Sequence, residues 1–253
     1  MMTDSNQRPS ASKAMFLIVR RELSSYFGSW GGWTLIALSL MIAGILFNTR
    51  AVGSSAKFSA DVLAQFFHDT SGVVLAVAFL VSLRTTVEER KQGTLPLLLN
   101  SSLTEGEIVV SKFLGAMTVI ALFCLLSGYI PALVFLRGKV SLGHIGTGYL
   151  GLLLYASSIV AIGVWASAIA SGWVVAGAVA GATLALGHTF WLLARRIDGE
   201  LGNVVAYLAL HDKHFMSFKQ GILSLKHVAF YLSITLVFLI LARSGLESRR
   251  WSS

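Results

Sequence analysis

Six long apolar runs punctuate the chain, at Trp30 to Phe47, Phe66 to Leu83, Phe113 to Phe135, Gly148 to Ala170, Trp173 to Leu193 and Val228 to Ala242. A helix needs roughly 20 mostly apolar residues to cross the hydrocarbon of a bilayer. Inside lipid a segment must satisfy its own backbone donors and acceptors, and a helix does so without a partner. The runs therefore predict an all-α, polytopic membrane protein with about six transmembrane helices. The last run is the shortest and extends if Leu223 and Leu225 join it. His68 and Asp69 lie at the start of the second, whose uninterrupted apolar part begins at Gly72. Only Ser171 and Gly172 separate the fourth and fifth runs, which predicts two antiparallel helices joined by a tight turn. Pro131 lies within the third and predicts a kink, because proline removes an N–H and crowds the carbonyl four residues back. Charged residues make up 13% of the chain, against about 25% in ordinary globular proteins. Its mean hydropathy is +0.73. Such a chain cannot coat a water-facing surface with charge.

The formal net charge of +8 would suggest a nucleic-acid partner in a soluble domain. Here the basic residues sit between apolar runs rather than in a stripe with interleaved aromatics. They read as loops and helix ends near anionic headgroups, and no nucleic-acid partner is expected. With the N-terminus inside, eleven Lys and Arg fall on inner segments and nine on outer ones. Five of the nine lie in one loop, residues 194–227, and without it the inner bias is clear. Both termini are expected in the cytoplasm of a bacterial inner membrane. Residues 1–11 read as a disordered cytoplasmic N-terminus with no apolar core or cleavage site, so the first span would also serve as insertion signal. Residues 30–243 would form the membrane domain and 244–253 a cytoplasmic tail. Cys124 is the single cysteine and lies in an apolar run, which excludes an intrachain disulfide.

Before the first span, residues 12–29 place Met15, Val19, Leu23, Tyr26, Phe27 and Trp30 at helical spacing, with Arg20, Arg21, Ser24 and Ser25 largely on another side. This predicts an amphipathic interfacial helix whose basic side chains reach headgroups. The alternative is a plain extension of the first span.

The most informative polar stretch runs from Arg84 to Lys112, RTTVEERKQGTLPLLLNSSLTEGEIVVSK. Charges cluster at Glu88, Glu89, Arg90 and Lys91, then Gln92-Gly93-Thr94 makes a break. Thr94-Leu95-Pro96 suits a helix start, since proline is tolerated in a first turn. Thr104 followed by Glu107 matches a capping box for the next helix. Between these signals lies a short segment with Leu95, Leu97, Leu98 and Leu99. It is too short to span a bilayer, and it is too apolar to stand in water without docking on something.

The run EERKQGTLPLLLNSSLTEGEIVVSKFLGA resembles the pattern of type-2 ABC exporter permeases. Those carry Glu-Glu-Arg, then Gly-Thr-Leu-(Glu)-Leu-Leu, a Ser/Thr-rich link and a Gly/Ser-Lys before the third span. The family often has Glu where this chain has Pro96. The resemblance implies a coupling helix near residues 93–101 that inserts into a groove of a separate ATP-binding subunit. It marks Glu88, Glu89, Arg90, Gly93, Thr94, Leu95, Leu97, Leu98 and Leu99 as ATPase-coupling residues. It also implies a second permease copy, identical or related. A shorter resemblance joins Asp212-Lys213-His214-Phe215, Phe218-Lys219-Gln220-Gly221-Ile222-Leu223 and Tyr231 to the element before the last span in gliding-motility (GldF-type) and nitrous-oxide-reductase-accessory permeases. The chain has no Gly-x-x-x-x-Gly-Lys-Ser/Thr loop to hold nucleotide phosphates. It is therefore expected to be no enzyme and to carry no cofactor of its own, with ATP and Mg on the partner subunit. An outer partner stays open.

In the fifth run Gly177 and Gly181 form a Gly-x-x-x-Gly pair, and small residues four apart let helix backbones approach closely in lipid. They are the expected dimer interface, with close packing inside one subunit as the alternative. Six histidines raise the question of a metal. His211 and His214 are three apart, but two ligands do not close a site, and nothing in the sequence brings His68, His144 or His188 to them. A structural role in a folded outer loop is expected, and no metal. The rival functional classes are an intramembrane enzyme and a channel or secondary transporter not driven by ATP. No Gly-x-Ser-x-Gly serine supports the first, and no buried chain of acids supports a proton-driven carrier. Asp198 and Glu200 lie near Arg195 and Arg196 and read as a solvated charge cluster.

Overall fold

The computed structural model describes residues 11–52, 57–94, 103–194, 196 and 199–250, and no strand occurs among them. Helix α1 covers Ala11–Phe27 and α2 covers Trp30–Leu46, the latter continued by a π-helical turn, Phe47–Val52. Between α1 and α2 the chain turns sharply. The Gly28 N–H donates to the Ser24 carbonyl at 2.8 Å, and a Cβ on Gly32 would collide with the Tyr26 carbonyl. Trp30, placed on the apolar stripe of the first helix by its spacing, instead opens α2 and is 91% exposed. Ile18 and Tyr26 are buried in α1.

Helix α3, Ser59–Lys91, ends in a Schellman motif. Gly93 adopts φ +67°, its N–H donates to the Arg90 carbonyl at 3.2 Å, and the Thr94 N–H donates to the Glu89 carbonyl at 2.9 Å. Helix α4, Glu105–Ser127, begins at the predicted capping box: the Glu107 N–H donates to Thr104 Oγ1 at 3.3 Å and the Thr104 N–H to Glu107 Oε2 at 2.8 Å. Its span is interrupted at Gly128, and α5, Tyr129–Arg137, carries Pro131 in its first turn, where the missing N–H costs least. Then come α6, Leu142–Ile169, and α7, Trp173–Ala194, joined by the expected tight turn. Two short helices follow, α8, Glu200–Tyr207, and α9, Asp212–Lys219, and the last is α10, Leu225–Arg250.

Among the described residues six helical segments are long and apolar enough to cross a membrane: Trp30–Val52, Ser59–Lys91, Glu105–Leu136, Leu142–Ile169, Trp173–Ala194 and Leu225–Ser248. The chain is an all-α, multi-pass membrane protein. The helices outrun most of the apolar runs that announce them, because their polar ends bury side chains inward or reach headgroup level. Residues 244–250, expected as a tail, continue α10. The 194–227 loop contains α8 and α9.

Similar hydropathy conceals different positions. Helix α6 is central, packed by α10, α3, α4, α7 and α9. Its most apolar window is 78% buried, whereas the windows of α2 and α7 are each 22% buried and lie at the outside of the bundle. Small residues make the centre possible. A Cβ on Gly163 would overlap Ser82 of α3, and one on Gly148 would overlap the Phe67 ring.

Candidate functional site

The described residues of the marked stretch, Glu88 to Thr94, lie on the face of the bundle that carries α1. Lys112, about two turns inside α4, is 1% exposed, and its Nζ donates to Glu22 Oε1 of α1 at 3.0 Å. The same Nζ lies 3.1 Å from Glu89 Oε1 of α3 and donates to the Thr85 carbonyl. Arg21 of α1 also pairs with Glu89. The Glu22 and Glu89 side chains are 11% and 7% exposed. Two acids and two bases thus form a charge-balanced network, the condition under which buried ions are tolerated. Gly115 makes room for it, since a Cβ there would come 3.0 Å from Glu22 Cβ. Beside it Tyr26 donates to the Val81 carbonyl at 2.7 Å, and the Arg84 guanidinium lies 5.5 Å from its ring centre. Burial, with help from the Glu22 charge, pushes the Tyr26 phenol well above its usual range. A cavity of about 290 Å3 opens here, walled by Arg21, Glu22, Tyr26, Arg84, Glu88 and Glu89.

A second set of ties reaches the central helix. The Arg90 guanidinium donates to the carbonyls of Ala170 and Ala168 at the end of α6, satisfying acceptors that a helix C-terminus leaves open. The Ser167 hydroxyl accepts from the N–H groups of Thr86 and Val87 at 2.9 and 3.1 Å and donates to the Leu83 carbonyl at 3.2 Å. Lys91 lies over the Trp173 ring at 5.6 Å, next to the start of α7.

Of the expected coupling residues, Glu89 and Arg90 therefore point into the bundle and join helices. Glu88 pairs with Arg84 at 3.1 Å on the cavity wall. Gly93 and Thr94 stop α3. Leu95, Leu97, Leu98 and Leu99 lie outside the described residues. The reading from sequence missed Lys112, Glu22, Arg21 and Ser167. Glu22 did leave a signal: it stands midway between Ile18 and Tyr26 on the inward stripe of α1, where an acid needs a partner. Gly177 and Gly181 are half-buried and turn toward α3 of the same chain, where added Cβ atoms would meet Leu83 at 3.7 Å and Phe79 at 4.0 Å. The adjoining exposed face of α7 carries Ala178, Ala182 and Ala185.

On the opposite face the fold assembles groups that are remote in sequence. His68, His188 and His211 come together around Tyr155, with ring centres of His68 and His188 5.5 and 6.1 Å from that of His211. Ser71 Oγ donates to the His68 carbonyl at 2.6 Å and lies 2.7 Å from His211 Nε2, which therefore donates to it. His188 Nδ1 lies 2.8 Å from the Leu184 carbonyl, so its Nε2 accepts from the Tyr155 hydroxyl at 2.7 Å. Among the described residues no three His, Cys, Asp or Glu side chains converge as metal ligands. His211 is pushed down to about 4 by burial. A separate buried pair, His214 and His227, meets at 2.8 Å between Nδ1 atoms, with His214 stacked on Phe230. Burial lowers His214 to about 4 as well. Tyr231 donates to the Leu210 carbonyl at 2.9 Å, and Phe215 and Phe218 are fully buried. The segment before the last span is thus packed onto α6 and α10.

No family model matches the chain, and no curated protein is detectably similar to it.

Proposed function

We propose that this chain is the membrane-spanning subunit of a type-2 ABC exporter, driven by a separate ATP-binding subunit. The amino-terminal face of the bundle would then be the cytoplasmic side of a bacterial inner membrane. Two copies, or one copy and a related chain, would form the pathway. The supporting observation is the buried network of Glu22, Glu89 and Lys112. Glu89 precedes the leucine-rich segment and Lys112 follows it, so both flanks of that segment are held by one ionic contact. Arg21 and Glu22 bring α1 into the same unit. A push on residues 95–102 would reach α3, α4 and α1 together. Through Arg90 and Ser167 it would also reach the end of the central helix. The network resists shear because separating its members leaves buried charges unpaired.

In this mechanism ATP closes the partner pair, the leucine-rich segment transmits the motion, and the route opens on the opposite face. The test is co-purification of this chain with an ATP-binding subunit encoded beside it. Leu97→Asp with Leu98→Asp should abolish that association while leaving the chain folded and inserted. Equal recovery of the ATPase with this variant overturns the proposal. So does labelling of a cysteine at Gly93→Cys from the non-cytoplasmic side.

A further inference from the structure

Between α2 and α3, toward the face opposite α1, lies a cleft of about 570 Å3. That is within the roughly 300–1,000 Å3 of small-molecule sites. One limb is apolar, built from Leu35, Leu38, Ile42, Leu75 and Leu80. Leu38, Ile42 and Leu80 are also exposed at the outside of the bundle, so the limb opens sideways, where a spanning helix would meet hydrocarbon. The other end is polar and contains Asp69, whose side chain is 3% exposed. Asp69 Oδ1 accepts from Gln65 Nε2 at 3.0 Å and lies 3.4 Å from Arg50, whose own side chain is 64% exposed. Asp69 Oδ2 is buried and has no hydrogen-bond partner among the described residues. A carboxylate oxygen left this way in a membrane-embedded wall is costly. The neighbouring polar groups are engaged elsewhere: Tyr155 with His188, His188 with the Leu184 carbonyl, Ser71 with the His68 carbonyl and His211, and Arg50 with Oδ1.

We propose that this cleft binds an amphiphile with a protonated amine head, which donates to Asp69 Oδ2 while its alkyl tail fills the limb between α2 and α3. An anionic head would face the Asp69 carboxylate, whereas an ammonium offers Oδ2 a charged donor beside the pair that Oδ1 makes with Arg50. Arg50 at the rim also suits a phosphate next to the amine. The occupant can therefore come from two sources sharing this chemistry, a free long-chain amine or an aminophospholipid. The site needs only the membrane-embedded fold, and it stands or falls independently of an ATP-binding partner.

The test uses the purified full-length protein in a non-ionic detergent and tritiated dodecylamine at neutral pH. Saturable binding is expected, displaced by unlabelled dodecylamine and not by dodecanol or dodecanoate. Asp69→Asn should weaken it about tenfold or more, the scale of a lost hydrogen bond to a charged group. Leu38→Trp, which fills the limb from the exposed side of α2, should weaken it as well. Displacement by lysophosphatidylethanolamine but not lysophosphatidylglycerol would identify the lipid source. Displacement by neither would identify the free amine. Absence of saturable binding to the native protein overturns the proposal, as does native affinity in Asp69→Asn. Should that variant not fold, native affinity in Leu38→Trp overturns it.

Discussion

Replacing Lys112 by methionine isolates the energetic role of the buried network. The substitution keeps a flexible apolar stem of similar length and removes the ammonium. Two carboxylates then lose a cation that stood 3.0 and 3.1 Å away, and the Thr85 carbonyl loses a donor. Coulomb attraction at 3 Å with an effective dielectric of 20 is about 5 kcal/mol for each contact, before desolvation is subtracted. Breaking one partner out of a buried ion pair costs about 3–5 kcal/mol net. Arg21 still holds Glu89, which places Lys112→Met near the lower end, about 3 kcal/mol. Unfolding by a graded ionic detergent in mixed micelles, followed by far-UV circular dichroism, measures this directly. Adding Glu22→Gln and Glu89→Gln to Lys112→Met should restore most of the loss, because the orphaned charges disappear together. A loss under about 1 kcal/mol for the single variant would refute the argument that unpaired burial sets the cost. A triple variant less stable than the single one would refute it too.

Other expectations follow from local geometry. Gly163→Ala places a methyl on Ser82 and should cost about 1–3 kcal/mol in the same assay, with Ser82→Gly restoring most of it. Thr104→Ala removes the cap of α4 and should cost about 1 kcal/mol; adding Glu107→Ala should cost less than two independent losses, since the two residues cap each other. His211 and His214 are held at about 4 against an ordinary 6.5. Their folded values are depressed, so the unfolded chain binds the protons first. Stability should be fully present above pH 6.5 and fall as pH drops toward 4, by at most about 3 kcal/mol for each histidine. Melting temperature in a mild detergent across that window, with His214→Phe flattening the slope, checks the sign.

Legibility of this chain divided along physical lines. The six spans, the capping box at Thr104, the Ser171-Gly172 turn and the interruption near Pro131 could all be read locally. A bilayer judges each segment by its own summed transfer free energy, and caps and turns are settled by neighbours within four residues. The central place of α6 could not be read this way, because its hydropathy resembles that of lipid-facing α2. In lipid, helices choose partners by close fit of small residues such as Gly148 and Gly163, and not by apolarity. Glu89 and Arg90 could be marked from the sequence as important, but their inward direction depends on Lys112, Arg21 and the end of α6. The same holds for His68, His188 and His211, scattered over three regions of the chain and gathered only by packing around Tyr155. What the sequence alone determined was how many times the chain crosses the bilayer. Which polar groups meet inside it was decided by tertiary contact, because a buried charge or hydroxyl is stabilised by whatever partner the packing brings within hydrogen-bond reach.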